Sequence, residues 1–415
     1  MSINSNEFGS NSISNRLLLV ILTICSLSFF LIKGLSKGSN YYYIGGVIII
    51  IFFLFLYLVY YKNDIPIKRN FTSNISILML CTVVSALASQ YFNNQAISIS
   101  FYQQVGIYFF LGYFLLSFLY PKPSFIRNLI YYIAIIGAVI YILQFLAYPS
   151  KFLDLPMARD RGTLRFNLPG GPFRHACYFM CLIDIFKGYN RKSAIGALLL
   201  LIVAVLSGYR SIIALYILLP AIYLLVNKNV KNRTAILLVA VIICISGFFA
   251  FQGIISEMNK SAEREGSQGA DYIRVKAANY FFNESISNRF TLVTGNGVPS
   301  GYSSFGQKLI AISLANGYYL SDVGIVGTLY KYGLIFTIFI LIVLFRLIFA
   351  KSPPDLNFIK LFIIMHLLLI FTTYPFYEEV SGIILLVLFL YLMDCQYSFN
   401  EKQLTEGVEN NTITQ

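Results

Sequence analysis

The sequence predicts an all-α protein, a polytopic bundle of about 12 transmembrane helical spans with one long external loop. Three observations carry that expectation. Apolar residues make up 57% of the 415 residues and charged residues only 12%, too little charge to cover the surface of a soluble domain of this length. The apolar residues come in runs close to the roughly 20 residues that a helical crossing needs. Between the runs, basic residues fall in every second loop, the pattern of a chain threaded back and forth across a bilayer.

A polar, Ser/Asn-rich stretch ends at Asn15 and is followed by Arg16 and an apolar run at 17–33. A cleaved signal would have a shorter apolar core ending on a small-residue site, so this run is read as an uncleaved first span. Further runs lie at 41–61, 74–92, 101–120, 128–149, 175–187, 194–208, 211–226, 234–252, 322–349, 358–375 and 381–395. Those at 175–187, 194–208 and 381–395 are short, which tilt or local thinning of the bilayer can accommodate. The short runs around Arg174 to Arg210 are the ones expected to be tilted or re-entrant. Tryptophan is absent, and tyrosines such as Tyr41–Tyr43, Tyr60, Tyr61, Tyr131 and Tyr132 take its interfacial place. Cys25, Cys81, Cys177, Cys181, Cys244 and Cys395 lie in or at the ends of apolar runs and read as small buried hydrophobes.

Sidedness follows from the basic loops. Lys62, Lys68 and Arg69 share one loop, Lys122 and Arg127 the next such loop, and Lys187, Arg191 and Lys192 a third. Lys228, Lys231 and Arg233 mark a fourth, and Arg346, Lys351 and Lys360 flank a fifth. All five fall on one side of the threading, which is expected to be the cytoplasm, with both termini there as well. Residues 1–415 then form a single integral membrane domain, with 396–415 a disordered cytoplasmic tail. Two longer loops face outward, at about 150–174 and 253–321. The first carries Lys151, Arg159, Arg161, Arg165 and Arg174 against Asp154 and Asp160. Basic residues are normally depleted on the translocated face, so an anionic ligand is the plainest reason for them; binding of lipid headgroups is the other.

Within that loop, arginines alternate with backbone-permissive residues such as Gly170, and guanidinium groups bind phosphate oxygens bidentately. Arg210 sits in Leu206-Ser-Gly-Tyr-Arg-Ser-Ile212, a tight external turn where an ionisable group is either functional or snorkels to the interface. In the long loop, Asp271-Tyr-Ile-Arg274 and Arg289 precede Thr294-Gly-Asn-Gly-Val298, with Gly295 and Gly297 marking a turn. Asp322, opening the following span, suits a general base, an arginine partner or a helix cap; Glu378 and Glu379 on the last external turn are a second carboxylate option. His175 and His366 are too few and too scattered for a metal site, so no metal or other cofactor is expected.

Taken together these segments resemble the Wzy-type polysaccharide polymerases, in the superfamily that includes the O-antigen ligases. Ser207-Gly-Tyr-Arg-Ser-Ile is similar to that family's small-residue–Arg turn, Tyr272-Ile-Arg274 with Thr294-Gly-Asn-Gly-Val298 to its Arg…Gly-x-Gly stretch, and Asp322-Val-Gly-Ile-Val-Gly327 with Gly333 to its acidic, glycine-spaced entry to the next span. The family's paired arginine–glycine motif fits Arg159 with Gly170, whereas Arg289 meets Ser300 at that spacing, the glycine following at Gly301. Ligases carry a histidine in the long loop; here none occurs between His175 and His366.

The resemblance implies a metal-independent glycosyltransferase of surface-polysaccharide biosynthesis, such as that of lipopolysaccharide, in a bacterial inner membrane. It would move a growing glycan from undecaprenyl pyrophosphate to a lipid-linked repeat unit at the external face. Arg210, Arg159 and Arg274 would meet the departing pyrophosphate, with Arg161, Arg165, Arg174 and Arg289 and the glycines 170, 295 and 297 binding substrate, and Asp322 would orient the attacking hydroxyl. Partners implied are the lipid-linked oligosaccharides, membrane lipids, a chain-length regulator and a flippase, with no nucleic acid. An O-antigen ligase is the alternative within the superfamily, and a lipid-linked oligosaccharide flippase the alternative of another class.

Overall fold

A computed structural model describes residues 12–35, 39–60, 69–160, 163–188, 190–227, 230, 252–371 and 373–413. The expected span at 234–252 lies outside them except for its last residue, and so does Arg161. The described chain is all-α apart from one two-stranded hairpin. It runs through α1 (Ile13–Ser26), α2 (Ser39–Tyr60), α3 (Thr72–Asn93), α4 (Ile97–Gln103), α5 (Gly112–Leu119) and α6 (Pro123–Ala147). After the hairpin of β1 (Ala158–Asp160) and β2 (Thr163–Arg165) come α7 (Gly171–Lys187), α8 (Arg191–Leu206) and α9 (Arg210–Val226). The long loop holds α10 (Gln252–Ser267), α11 (Ile273–Ile286), α12 (Arg289–Thr294) and α13 (Ser304–Asn316). The chain ends with α14 (Ile325–Phe349), α15 (Asn357–Leu368) and α16 (Val380–Ile413).

By length and composition, four described helices can cross a membrane: α3, α6, α14 and the Val380–Ser398 part of α16. A fifth candidate is broken, α4 and the helix at Val105–Leu119 meeting at 64°. The expected count of about 12 spans is therefore not reached among the described residues. Several of the expected spans form helices of 17 residues or fewer, as α1, α7, α8, α9 and α15 do, short of the roughly 20 that a crossing takes. The bend falls at the expected span 101–120. The α16 helix continues to Ile413, through the segment expected to be a disordered tail.

One candidate span differs from the rest. The α16 window is 83% buried, against 44% for the other three, so α16 is the central post and the others present one side outward. Their outward side chains are large and apolar: Leu80, Leu87, Leu143, Leu146, Phe345 and Phe349 are all exposed, a surface suited to acyl chains.

Ion pairs join several of the loops expected on one side. Arg127 bonds Asp184 at 2.7 Å and the Asp355 carbonyl at 2.8 Å, and Lys187 pairs with Asp355. Arg346 reaches Asn74 at 2.6 Å and the Asn70 carbonyl at 3.1 Å, while Asn70 also holds Asp394 of α16. The starts of α3, α6 and α15 thus meet the ends of α7 and α14. The hairpin, the starts of α7 and α9 and the turn before α16 are joined by a different set of contacts.

The long loop has its own small core of Ala277, Phe281, Phe305, Leu309, Val323 and Tyr330. Its glycine turn is pressed against α14 where that helix breaks at Gly333 (φ 80°). A Cβ on Gly295 would lie 2.3 Å from the Lys331 carbonyl oxygen, and one on Gly333 would lie 2.2 Å from that of Val293. Only two glycines allow the backbones to approach this closely.

Candidate active site

The hairpin places the first arginines. Thr163 and Leu164 of β2 are buried, as are Phe166 and Leu168 beyond it. Phe166 stacks on Tyr141 of α6 with ring centres 4.1 Å apart. Thr163 Oγ1 donates to the Leu206 carbonyl at 2.5 Å, and Tyr209 bonds Asn167, so the hairpin is docked onto the α8–α9 turn. Arg165 consequently lies over the Tyr209 ring at 5.1 Å, next to the residue that precedes Arg210. Burial works against the charge of Arg165, but the ion pair with Asp160 and the contact with Tyr209 outweigh it and raise its pKa. Arg159, on the exposed strand, lies 5.6 Å from the Tyr148 ring. Arg210 is the first residue of α9 and half-buried.

The second arginine set comes from the start of α7. Gly170 precedes that helix with φ +84°, a left-handed conformation that glycine adopts without strain, and Pro172 lies in its first turn. The turn folds back so that Arg174 donates to the carbonyls of Leu168 (3.0 Å) and Pro169 (3.2 Å). Tyr141, Tyr209, Tyr216 and Glu379 all lie close enough to affect its charge. Beside it, His175 Nδ1 lies 2.6 Å from the Tyr216 hydroxyl, and the His175 and His366 rings are 5.8 Å apart. Among the described residues, no set of three or more His, Cys, Asp or Glu side chains gathers as metal ligands would.

The turn before α16 supplies the carboxylates, and its two glutamates face different neighbours. Glu378 is buried in an ion pair with Lys331 of α14 and accepts from Thr328. Glu379 remains half-buried, accepts from Ser381 Oγ and lies within electrostatic reach of Arg174. Burial raises the pKa of Glu379, opposed by Ser381, Arg174 and Gly170.

The structure therefore brings Arg165, Gly170, Arg174 and the Tyr209–Arg210 turn to one end of the bundle. The long-loop candidates lie on other elements. Arg274 is in the first turn of α11, and Arg289 opens α12, exposed, where Asn288 caps the helix. Both helices pack mainly on α14, and α12 also on α3. Asp322, half-buried, is met by Ser321 Oγ at 3.4 Å. Gly295 and Gly297 serve the packing against α14, their neighbours bonding its backbone through Asn296 N–H to Tyr330 O (2.8 Å) and Gly297 N–H to Lys331 O (2.9 Å). Lys331 escaped the sequence reading, although a lysine within the apolar run 322–349 is itself a signal. No family model, curated protein or solved structure matches this chain.

Proposed function

We propose that the chain is a polysaccharide polymerase of the Wzy type, transferring a growing glycan from undecaprenyl pyrophosphate to a lipid-linked repeat unit. The observation that carries this reading is the docking of the arginine-bearing hairpin onto the α8–α9 turn beside the start of α7. Arg159, Arg165, Arg174 and Arg210 thereby come from elements at one end of a lipid-facing bundle. A pyrophosphate departing from a sugar accumulates negative charge, and guanidinium groups already oriented by their neighbours stabilise it without reorganising. The apolar flanks of α3, α6 and α14 suit the polyprenyl tails, so the protein would align two lipid-anchored substrates by proximity.

In this reading the site faces the exterior of a bacterial inner membrane, about 12 spans cross it, and both termini lie in the cytoplasm. Arg161 also binds substrate, Arg274 and Arg289 bind the glycan from the long loop, and a flippase and a chain-length regulator act alongside.

Arg210→Ala tests the proposal. At normal protein levels it is expected to abolish elongation while single repeat units still reach the cell surface. Arg210→Lys is expected to lose activity as well, since an ammonium cannot replace the bidentate fork. Long-chain polymer from Arg210→Ala would remove this residue from the mechanism, and disappearance of single-repeat products from a strain lacking the gene would favour a ligase or flippase.

A further inference from the structure

We infer that the long loop does not stand clear of the bilayer: α11, α12 and α13 lie in its outer interface, seated on phospholipid through Phe282, Ile286, Phe290, Val293, Ile310 and Leu314. This placement is independent of the polymerase reading.

The loop is held against the lipid-facing flank of α3. Leu80, Leu87 and Tyr91 recur at helical spacing on one face of that helix, and all three are exposed. Phe92, the next residue, stacks on Phe290 of α12 with ring centres 6.4 Å apart and planes inclined by 22°. Tyr91 meets Phe92 edge-on at 4.9 Å. Hydrogen bonds fix this placement. Asn93 donates to the Asn296 carbonyl at 3.1 Å, while Gln95 donates to the Val298 carbonyl at 2.9 Å and accepts from Ser303 Oγ at 2.7 Å. The apolar strip of α3 therefore continues onto α12, where Phe290 is 71% exposed.

The neighbouring helices each show three kinds of surface. One face enters the small core of the loop, through Ala277 and Phe281 of α11 and Phe305 and Leu309 of α13. A second face is exposed yet apolar: Val275, Phe282 and Ile286 share it on α11, and Ile310 and Leu314 share it on α13. The rest is polar, with Lys276 and Asn283 exposed on α11 and Ser304 and Lys308 on α13. A helix with one face in protein, one apolar face uncovered and one polar face fits a boundary between protein, lipid and water. In water alone, the uncovered apolar faces would have no reason to persist. Tyrosine marks the same level: Tyr91 at the end of α3 and Tyr302 beside Ser303 are both highly exposed, in a chain without tryptophan. Lipid rather than a second copy is the occupant, because the strip is continuous with the α3 flank, which a helix of membrane length turns to acyl chains.

The absence of tryptophan from the sequence supplies the test, since a single introduced one reports only its own surroundings. Phe290→Trp and Leu314→Trp, with Asn283→Trp as the water-facing comparison, are made in the full-length protein and reconstituted in vesicles of phosphatidylethanolamine and phosphatidylglycerol. Each variant is scored once it melts as the wild type does, and the two positions on separate helices cover the loss of either one. Both are expected to be quenched by phospholipid brominated on its acyl chains. Iodide in the water should quench them about fivefold less than Asn283→Trp, as insertion of about 5–10 Å into the headgroup boundary requires. Iodide quenching equal to that of Asn283→Trp, with no effect of the brominated lipid, would overturn the placement. Shielding from both quenchers would overturn it too, because a second copy or another protein would then cover the surface.

Discussion

At the residue scale, the fate of an ionisable group depends on whether its partners leave it accessible. Arg165 pairs with Asp160 on the hairpin, a part-exposed pair of small energetic value, whereas Arg174 is held by the neutral carbonyls of Leu168 and Pro169. The arginine candidates were legible in the sequence because charge on a loop expected to be translocated is conspicuous. The partner of Glu378 was not, because Lys331 lies 47 residues away in the chain and meets it only through the fold.

At the element scale, the break in α14 at Gly333 organises the contact between the long loop and the bundle. The glycine turn at Gly295–Gly297 bonds the backbone around the break, and Ser85 of α3 donates to the Lys331 carbonyl at 2.6 Å. The Lys331 side chain then reaches Glu378 in the turn before α16. One lysine thus connects the long loop, α3, α14 and the turn that carries Glu379. Removing one partner of a buried ion pair leaves the other charge uncompensated, so Lys331→Met should destabilise the protein by about 3–5 kcal/mol. The Lys331→Met/Glu378→Gln double variant should recover most of that loss, since no lone charge remains. Melting of the detergent-extracted variants distinguishes the outcomes, and additive losses would show that the two side chains do not act as a pair. The sequence announced the glycine turn and the Asp322–Gly327 entry as a motif, but only the packing of one on the other shows why glycine is required.

At the scale of the whole molecule, the apolar flanks and the buried central helix describe a body that lives in lipid, and its two sets of polar contacts belong to opposite ends of the expected threading. Single cysteines in a cysteine-replaced background test that threading. Lys151→Cys should react with a membrane-impermeant thiol reagent added to intact cells lacking an outer barrier, and Lys351→Cys should react only after lysis. Labelling of both from the same side would refute the proposed sidedness. Composition and periodicity by themselves determined that the chain is helical, that it carries membrane-length apolar segments and that the stretch 150–174 concentrates arginine, because each is a local property of the chain. Hydropathy measures apolar runs and not where a helix stops or bends, so the described residues hold four helices of membrane length and one bent pair. The tertiary structure alone decided which charges meet. The hairpin docks on the α8–α9 turn and Lys331 takes Glu378, because long-range packing brings residues together that no spacing along the sequence relates.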